Sequence, residues 1–421
     1  MTILIKNGRV IDPASGRDAI GDVSIAEGRI CESLPGKPDR VIDAEGLVVA
    51  PGLIDLSARL REPGYEYKAT LESEMDAAVA GGVTSLACPP DTDPVLDEPG
   101  LVDMLRRRAK ALSRARVYPV GALTVKLAGE RLTEMAELAE AGCVAFSHAN
   151  APLSDTQVLW RALQYAATFD FAVWLRAEDY ALARGGVAHD GDVATRLGLP
   201  GIPAFAETIA LATVLELVRA TGARVHVCRL SSGAAVHLMR EAKAEGLPVS
   251  CDVGVHYVHL SELDLGYFDS HCRLVPPLRS QRDRDALSSG LADGTIDCLC
   301  SDHTPVDEDQ KQLPFAEAEP GATGLELLLP LTLKWGAQRK LPLAETLARI
   351  TSRPARILGV QSGRIAHGAP ADIVIFDPHA PFAVRANTLR SQGKNTPFLG
   401  YELEGRVRYT LVAGNLVFEQ A

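Results

Sequence analysis

The chain has 421 residues, of which 47% are hydrophobic and 23% are charged, and this balance is typical of a soluble globular protein. Its formal net charge of -11 argues against a surface that binds nucleic acid or an anionic membrane. No apolar run reaches the roughly 18 residues that a membrane-spanning helix needs, and the first residues lack the pattern of a secretion signal. We therefore expect a cytoplasmic protein that binds neither nucleic acid nor a membrane.

Short alternating strands, separated by turn residues, fill both ends of the chain over residues 1–50 and 359–421. Because these two β-rich segments flank a long middle, we predict one small β-sandwich domain assembled from both chain ends. The chain also has eight cysteines without a Cys-x-x-Cys pair. Buried, reduced thiols are favoured over disulfides or a metal cluster, since two thiols such as Cys298 and Cys300 do not make a zinc site alone.

The middle of the chain, residues 51–358, alternates short apolar runs with helical patterns, which predicts a parallel sheet covered by helices. Helices are expected near 206–221 and 234–245, and Gly246 is placed to end the second. Eight repeats favour a closed (β/α)8 TIM barrel of the α/β class over a doubly wound sheet, which would need a Gly-rich fingerprint after its first strand. The strands are predicted near 52–57, 83–88, 117–121, 143–147, 172–176, 224–229, 248–253 and 296–301.

The first barrel strand leads into PGLIDLSARLREPG at residues 51–64, an apolar run that ends in charge where barrel active sites lie. This stretch resembles the cyclic amidohydrolases, and most closely the dihydroorotases. The resemblance covers nearly the whole chain and includes PGIP at 200–203, PARILG at 354–359 and GKNTPF at 393–398. It implies an amidohydrolase-type barrel.

In that family two divalent metal ions hold a hydroxide that attacks the ring amide, and an aspartate after the last strand handles the proton. The resemblance implies that histidines and a bridging carboxylate hold the metals at the ends of the first, fourth, fifth and sixth strands. The matching positions in this chain are Ser57, Arg59, His148, Ala149, Arg176, Arg229 and Asp302.

Only Asp302 keeps the expected residue type, and three of the other positions are arginines. An arginine stays protonated and has no lone pair to lend to a metal. At an effective dielectric constant of about 20, one guanidinium about 4–5 Å from a divalent ion opposes its binding by roughly 6–8 kcal/mol. We therefore expect no zinc, no other metal cofactor and no catalytic residue. A weak metal site that joins His148 and Asp302 is the alternative.

Three further positions match residues that hold the substrate in the family. The resemblance implies that Arg61 is the residue that grips the substrate carboxylate. Asp91 stands where the family has asparagine, and its charge would oppose an anionic substrate. His303 corresponds to a histidine that faces the substrate, although a hydrogen-bonded structural role is favoured here. We interpret all three as remnants of a binding site.

Without a metal, a buried Asp302 needs another partner. We predict that one or more of Arg59, Arg176 and Arg229 fill the vacated space and pair with it. If the arginines outnumber the nearby carboxylates, the pocket is expected to trap an anion such as sulfate, phosphate or a dicarboxylate.

An intact scaffold with a degraded site predicts a pseudoenzyme with a role in binding or assembly. The family includes noncatalytic chains that are structural partners of aspartate transcarbamoylase. The resemblance therefore implies a homodimer of this chain within a larger hetero-oligomer with the transcarbamoylase catalytic subunit, in pyrimidine biosynthesis. Two alternatives stay open: an amidohydrolase with a rebuilt or single-metal site at Asp302 and His303, and an anion-binding regulatory module. The 303–320 segment matches a mobile loop, and its composition fits either order against a partner or disorder.

Overall fold

The computed structural model describes residues 2–420 and contains eighteen strands in three sheets. The strands from the N-terminal end are β1 (Thr2–Asp12), β2 (Arg17–Ala26), β3 (Arg29–Cys31), β4 (Arg40–Asp43) and β5 (Val48–Pro51). The middle strands are β6 (Leu53–Asp55), β7 (Val83–Cys88), β8 (Arg116–Ala122), β9 (Ala145–Ser147), β10 (Ala172–Leu175), β11 (Ala188–His189), β12 (Gly201–Ile202), β13 (Arg224–Val227), β14 (Val249–Gly254) and β15 (Cys298–Cys300). The last strands are β16 (Ile373–Ala383), β17 (Glu402–Val412) and β18 (Asn415–Glu419).

Thirteen α-helices connect or cover these strands among the described residues. They are α1 (Leu71–Ala80), α2 (Pro99–Leu112), α3 (Met135–Ala141), α4 (Thr156–Thr168), α5 (Tyr180–Ala183), α6 (Asp192–Leu197), α7 (Phe205–Thr221), α8 (Gly233–Ala244), α9 (Gln281–Asp293), α10 (Glu308–Gln312), α11 (Leu328–Gln338), α12 (Leu343–Ala348) and α13 (Ser352–Leu358). Helices α7 and α8 confirm the two helices predicted from the sequence. Gly246, with φ of +82°, follows the end of α8 as expected for a glycine that terminates a helix. Within residues 2–420, no helix is both long and apolar enough to cross a membrane.

Eight parallel strands form the predicted barrel, in the order β6, β7, β8, β9, β10, β13, β14 and β15. The chain just after β6 meets the chain just after β15, where the backbone nitrogen of Arg59 donates to His303 at 2.8 Å. His303 in turn donates its backbone N–H to Ser57 at 3.1 Å. The barrel therefore closes at the C-terminal ends of its first and last strands, which brings residues 57–59 and 301–303 together.

The interior of the barrel is filled with side chains. Ile54, Leu56, Val120 and Trp174 belong to one buried apolar cluster that continues to Leu358 of α13. Such a filled interior is typical of this fold, in which ligands bind at the C-terminal face and not inside the barrel. All eight cysteines are free thiols and six of them are buried, in agreement with the sequence analysis.

Strands from both chain ends form a second sheet, ordered β18, β17, β16, β5, β1, β2 and β3, with β4 paired to β1. The sheet curls over its own core, in which Ile3 and Ile25 join Ile373 and Leu411. Where its edges meet, Gly28 packs so closely on Ala413 that a side chain at Gly28 would lie 2.8 Å from the Ala413 carbonyl oxygen. The predicted sandwich is thus built from one continuous sheet.

Candidate functional site

The candidate site lies at the C-terminal mouth of the barrel and centres on Asp302, which follows β15 and is buried. One carboxylate oxygen of Asp302, Oδ1, accepts from three groups: Nη1 of Arg229 at 3.1 Å, Nη1 of Arg59 at 3.4 Å and Oγ of Ser57 at 3.3 Å. The prediction that arginines pair with Asp302 is therefore confirmed for Arg59 and Arg229. The two guanidinium charges thus lie next to Asp302, where the metal ions would lie in the family that this chain resembles.

Arg59 lies between two carboxylates. Its Nε donates to Asp91 at 2.8 Å, and its Nη1 also donates to the Thr304 hydroxyl at 3.1 Å. Burial opposes ionisation of Asp91, but the charge and hydrogen bond of Arg59, together with the charges of Arg61 and Arg229, outweigh burial and hold the pKa of Asp91 below its ordinary value. Asp91 is thus an ion-pair partner of Arg59. The sequence analysis, which placed Asp91 opposite a substrate, did not anticipate this pairing.

Arg229 is fixed at both its backbone and its side chain. The backbone N–H donates to Asp252 at 2.6 Å, and Nη2 donates to Asn150 at 2.7 Å. Burial alone would lower the pKa of Arg229, but the charge of Asp302, together with smaller contributions from neighbouring groups, outweighs burial and raises the pKa above its ordinary value. Arg229 is therefore a permanent cation at this position.

Arg176 does not pair with Asp302. Its two terminal nitrogens contact the two carboxylate oxygens of Glu178, each at 2.6 Å, in a bidentate pair. Glu178 is two residues along the chain, and this local ion pair takes the place of a pair between Arg176 and Asp302. Of the three arginines named from the sequence, Arg176 is thus the one that stays outside the cluster.

His148 is buried, and both of its ring nitrogens are occupied. Nδ1 lies 3.0 Å from the carbonyl oxygen of Ala151 and Nε2 lies 2.8 Å from the hydroxyl of Thr124. Because a carbonyl can only accept, Nδ1 carries the proton and Nε2 accepts from the hydroxyl. Burial also lowers the pKa of His148, which keeps the ring neutral. Both ring nitrogens are therefore engaged within the chain. This disfavours the alternative, in which His148 and Asp302 join in a weak metal site.

Several residues of the mouth have positive φ angles, a backbone conformation that residues other than glycine adopt rarely. They are Arg61 (62°), Ala149 (49°), Arg229 (55°) and Asp302 (46°). Each such residue costs about 1–3 kcal/mol, and such residues cluster at functional sites. The strained backbone of an active site is thus present even though its side chains have changed.

The residues at the mouth do not fit a metal centre. Asp302 is the single carboxylate or imidazole among the matched positions that faces the cluster, and its Oδ1 is already held by two guanidinium groups. The space between Ser57, Arg59, Arg176 and Arg229 amounts to about 20 Å³, which is room for one water molecule. Two ions and a bridging hydroxide need more space and more donors than this mouth provides.

One other group has metal-ligand chemistry. Within residues 2–420, the potential ligand atoms of His226, Cys228 and Asp252 all lie within 4.8 Å of one another. His226, however, uses Nε2 on Asp252 at 2.9 Å and Nδ1 on the hydroxyl of Ser250 at 2.8 Å. This group lies on β13 and β14 and does not include any of the positions matched to metal ligands.

The family follows from comparison with known proteins. Over 424 residues and the full length of both chains, the sequence is 46% identical to a "Dihydroorotase-like protein" of Pseudomonas aeruginosa. It is also 41% identical, again over both full lengths, to a "Dihydroorotase" of Geobacter sp. strain M21. Residues 46–235 match the family model described as dihydro-orotase-like. The chain belongs to the dihydroorotase-like family.

Solved structures of related enzymes share the fold of this dihydroorotase-like chain. An L-hydantoinase (dihydropyrimidinase) from Arthrobacter aurescens superposes with a TM-score of 0.87 at 25% identity, over 99% of this chain and 96% of the other. A D-hydantoinase superposes with a TM-score of 0.83 at 22% identity, over 100% and 96%. The amidohydrolase-type barrel with an additional β domain is therefore confirmed.

His303 of this dihydroorotase-like chain has the hydrogen-bonded structural role that the sequence analysis favoured, and it is not available to a substrate as a binding remnant would be. The side chain is fully buried, with Nε2 2.6 Å from Glu74 and Nδ1 accepting from the backbone N–H of Gly324 at 3.1 Å. Glu74 also accepts from Ser391 at 2.7 Å. Burial opposes ionisation of Glu74, but the contacts with His303, Ser391 and the backbone of Gln392 together outweigh burial and lower the pKa of Glu74. The sequence contained no signal for this partner of His303, because Glu74 lies in the first turn of helix α1, 229 residues away along the chain.

Arg61 is held by the chain itself. Its Nε donates to the carbonyl of Pro305 at 2.8 Å, and its Nη2 lies 3.6 Å from Glu319, which also pairs with Lys68 at 2.7 Å. Arg61 matches the family residue that binds the substrate carboxylate. In this chain it contacts the segment that follows β15 instead.

The same segment, residues 305–320, is fixed at both ends by one side chain. Nδ2 of Asn395 donates to the carbonyls of Thr304 and Gly321, each at 3.0 Å. Between these ends the segment contains α10 and buries Lys311 and Phe315. These contacts within the chain fix the segment next to the barrel mouth.

Proposed function

We propose that this dihydroorotase-like chain is catalytically inactive and serves as a structural subunit that stabilises an aspartate transcarbamoylase assembly in pyrimidine biosynthesis. The observation that supports this proposal most directly is the pairing of Asp302 with Arg59 and Arg229. Guanidinium groups occupy the surroundings of the one acidic residue that matches the catalytic positions of the family.

The proposed inactivity follows from the chemistry of these groups. Amide hydrolysis in this family needs a hydroxide at neutral pH, and a metal ion supplies it by lowering the pKa of bound water. Arginine cannot take this role, because it has no lone pair for a metal and its pKa is too high for it to act as a base. The Asp302 oxygen Oδ1 is also already held by the guanidinium groups of Arg59 and Arg229. We therefore propose that the chain has neither a metal cofactor nor a catalytic residue.

The proposed assembly role is supported by what the chain has kept. The barrel, the β domain and the strained backbone at the mouth are all present, whereas the side chains that match metal ligands are not. The proposed partner is the catalytic subunit of aspartate transcarbamoylase, with this chain as a dimer in a larger cytoplasmic hetero-oligomer. The partner itself comes from the family resemblance, and relatives from Pseudomonas aeruginosa and Pseudomonas putida are named dihydroorotase-like proteins.

Co-expression tests the assembly. The chain and the transcarbamoylase catalytic subunit from the same genome should elute together on size exclusion, as one particle whose mass by light scattering exceeds that of either protein alone. Transcarbamoylase activity measured after heating should also survive to a higher temperature in the mixed particle. Two separate peaks at micromolar concentrations would overturn the proposal.

An active amidohydrolase with a rebuilt site is the second candidate, because relatives at 41–42% identity are named dihydroorotase. The two candidates differ in what the purified chain contains and does. Stoichiometric zinc together with turnover of dihydroorotate would favour the enzyme, and neither of the two would be found for the structural subunit.

A further inference from the structure

A second cavity lies beside the barrel mouth. It is a cleft of about 570 Å³ between the loops that follow β9 and β10 and one face of helix α7. This volume is within the range of about 300–1,000 Å³ that is typical of small-molecule sites. The 20 Å³ space between Ser57, Arg59 and Arg229 is a separate cavity, and Ala149 and Arg176 contribute to the walls of both.

The charges that line this side cleft leave a positive excess. Three arginines contribute to its walls, Arg176, Arg184 and Arg273, against the two carboxylates of Glu178 and Asp179. Arg176 and Glu178 neutralise each other in their bidentate pair. Asp179 is used locally, because its side chain accepts from the backbone N–H of Leu182 at the start of α5. The cleft thus has one positive charge more than its own carboxylates can balance.

Two arginines in the cleft have unused donors. Nε of Arg176 and Nε of Arg273 are buried, and neither has a hydrogen-bond partner among residues 2–420. The Arg176 side chain is 8% exposed. Arg273 donates Nη1 to the carbonyl of Val187 at 3.1 Å and forms no ion pair with any residue in the described part of the chain. Burial lowers the pKa of Arg273, so its charged form would be stabilised by a counter-anion in the cleft.

The remaining wall of the cleft is largely apolar. Leu159 and Val214 are buried beneath it, and Tyr180 and Ile209 are 44% and 47% exposed at its rim. An apolar surface of this kind favours a ligand with an apolar body, because burial removes both surfaces from water. A single excess positive charge suits one carboxylate better than a phosphate dianion, whose second charge would be buried without a partner.

We propose that this side cleft binds an organic monocarboxylate with an apolar body. The carboxylate pairs with Arg273 and the apolar body lies against Ile209 and Val214. The cleft borders the barrel mouth, since His148, Ala149 and Arg176 contribute to its walls, and the proposal does not depend on the proposed structural role.

Calorimetric titration with benzoate, benzamide and sulfate tests the proposal on the full chain. Benzoate and benzamide have the same apolar ring and differ in charge, while sulfate has charge without an apolar body. We expect benzoate to bind at least about tenfold more tightly than either of the other two, because a charge-assisted hydrogen bond to a buried arginine contributes about that factor. Equal affinity for benzoate and benzamide, or for benzoate and sulfate, would overturn the proposal.

Two sets of variants locate the site. Arg273→Met should weaken benzoate binding about tenfold or more, and the same change at the exposed Arg364, remote from the cleft lining, should leave it unchanged. At the exposed rim, Ile209→Glu and Ile209→Gln have nearly the same shape, and Glu should weaken benzoate binding severalfold more than Gln by charge repulsion. If the Arg273→Met variant does not fold, the comparison of Ile209→Glu with Ile209→Gln still tests the location of the site. Equal benzoate affinities in that pair would refute the location.

Discussion

Nη1 of Arg229 lies 3.1 Å from Oδ1 of Asp302, and the backbone nitrogen of the same arginine donates to Asp252 at 2.6 Å. The backbone contact fixes the position of Arg229, and the side-chain contact places its charge at the mouth of the barrel. A cation that is part of the chain thus neutralises Asp302. The consequences for stability and metal binding can be measured separately.

The first prediction concerns the charge of Asp302. Asp302→Asn keeps the shape of the side chain but leaves Arg59 and Arg229 with fewer negative charges in a buried site. Removing one partner of a buried ion pair costs about 3–5 kcal/mol, and we expect a loss near the lower end because Asn can still accept one hydrogen bond. The loss should appear as a lower midpoint of urea unfolding followed by circular dichroism.

Glu245→Gln is the matched control, since it breaks an exposed pair with Arg219 by the same chemical change. It should leave the midpoint nearly unchanged, because exposed ion pairs contribute little to stability. If Asp302→Asn also unfolds at the wild-type midpoint, the arginine cluster does not hold the barrel mouth together.

The second prediction concerns the segment over the mouth, residues 305–320. Glu319→Gln removes the charge that binds Lys68 and Arg61, so the segment should open more often. We expect faster amide hydrogen exchange within this segment and unchanged exchange in the barrel strands. Glu317→Gln, an exposed change in the same segment, should leave the exchange as in the wild type. Equal exchange in the two variants would show that Glu319 does not hold the segment.

The third prediction is a pH dependence that comes from Lys311. Burial, together with the charge of Arg273, lowers the pKa of Lys311 from 10.5 to about 7, against the opposing effect of Glu319, Cys272 and Asp269. Between these two pH values the unfolded chain keeps the proton that the folded chain has lost, so stability due to this group rises as the pH is raised from 7 towards 10.5. Below about pH 7 the lysine is charged in both states and the gain is absent.

Lys311→Met has no such group to titrate. The midpoint of urea unfolding of the wild type should therefore rise relative to that of Lys311→Met between pH 7 and 10. Lys110→Met, a change at an exposed lysine, should give a curve parallel to that of the wild type. If the curve of Lys311→Met were also parallel to that of the wild type, the surroundings of Lys311 would not lower its pKa.

The fourth prediction concerns a variant in which histidines, which can bind a metal ion, replace residues at the barrel mouth. A variant with Ser57→His, Arg59→His, Arg176→His and Arg229→His removes three cations and adds four imidazoles around Asp302. We expect this variant to retain at least one zinc ion per chain after dialysis, measured by mass spectrometry. The control has Ser57→His with lysine at the three arginine positions, which keeps the charges, and it should retain no zinc beyond the wild type. Equal zinc in both would mean that charge and lone pairs at these positions do not govern metal binding.

The main elements of the fold follow from the sequence because they depend on local patterns. The apolar runs near 83–88 and 172–176 became β7 and β10, and the helix before Gly246 ends where the glycine permits it. The pairing of Asp302 with Arg59 and Arg229 was also predictable, because strand ends of a barrel meet at one face and a buried carboxylate requires a partner.

The remaining contacts of the site depend on side-chain directions that a sequence does not determine. Arg176 pairs with Glu178, two residues along the chain, and not with Asp302. Asp91 turned towards Arg59, and His303 turned towards Glu74 in a helix more than two hundred residues away. The order of the 305–320 segment depends on Asn395, which comes from the other end of the chain and has no sequence signal for that role.

The metal content of the wild-type chain is the most direct test of the arginine-filled site. The chain would be expressed with added zinc, purified without chelators and analysed for metals together with hydrolysis of dihydroorotate. We expect far less than one zinc ion per chain and no turnover. One or two zinc ions per chain that are lost in Asp302→Asn, with measurable hydrolysis, would contradict the conclusion that guanidinium groups have replaced the metals.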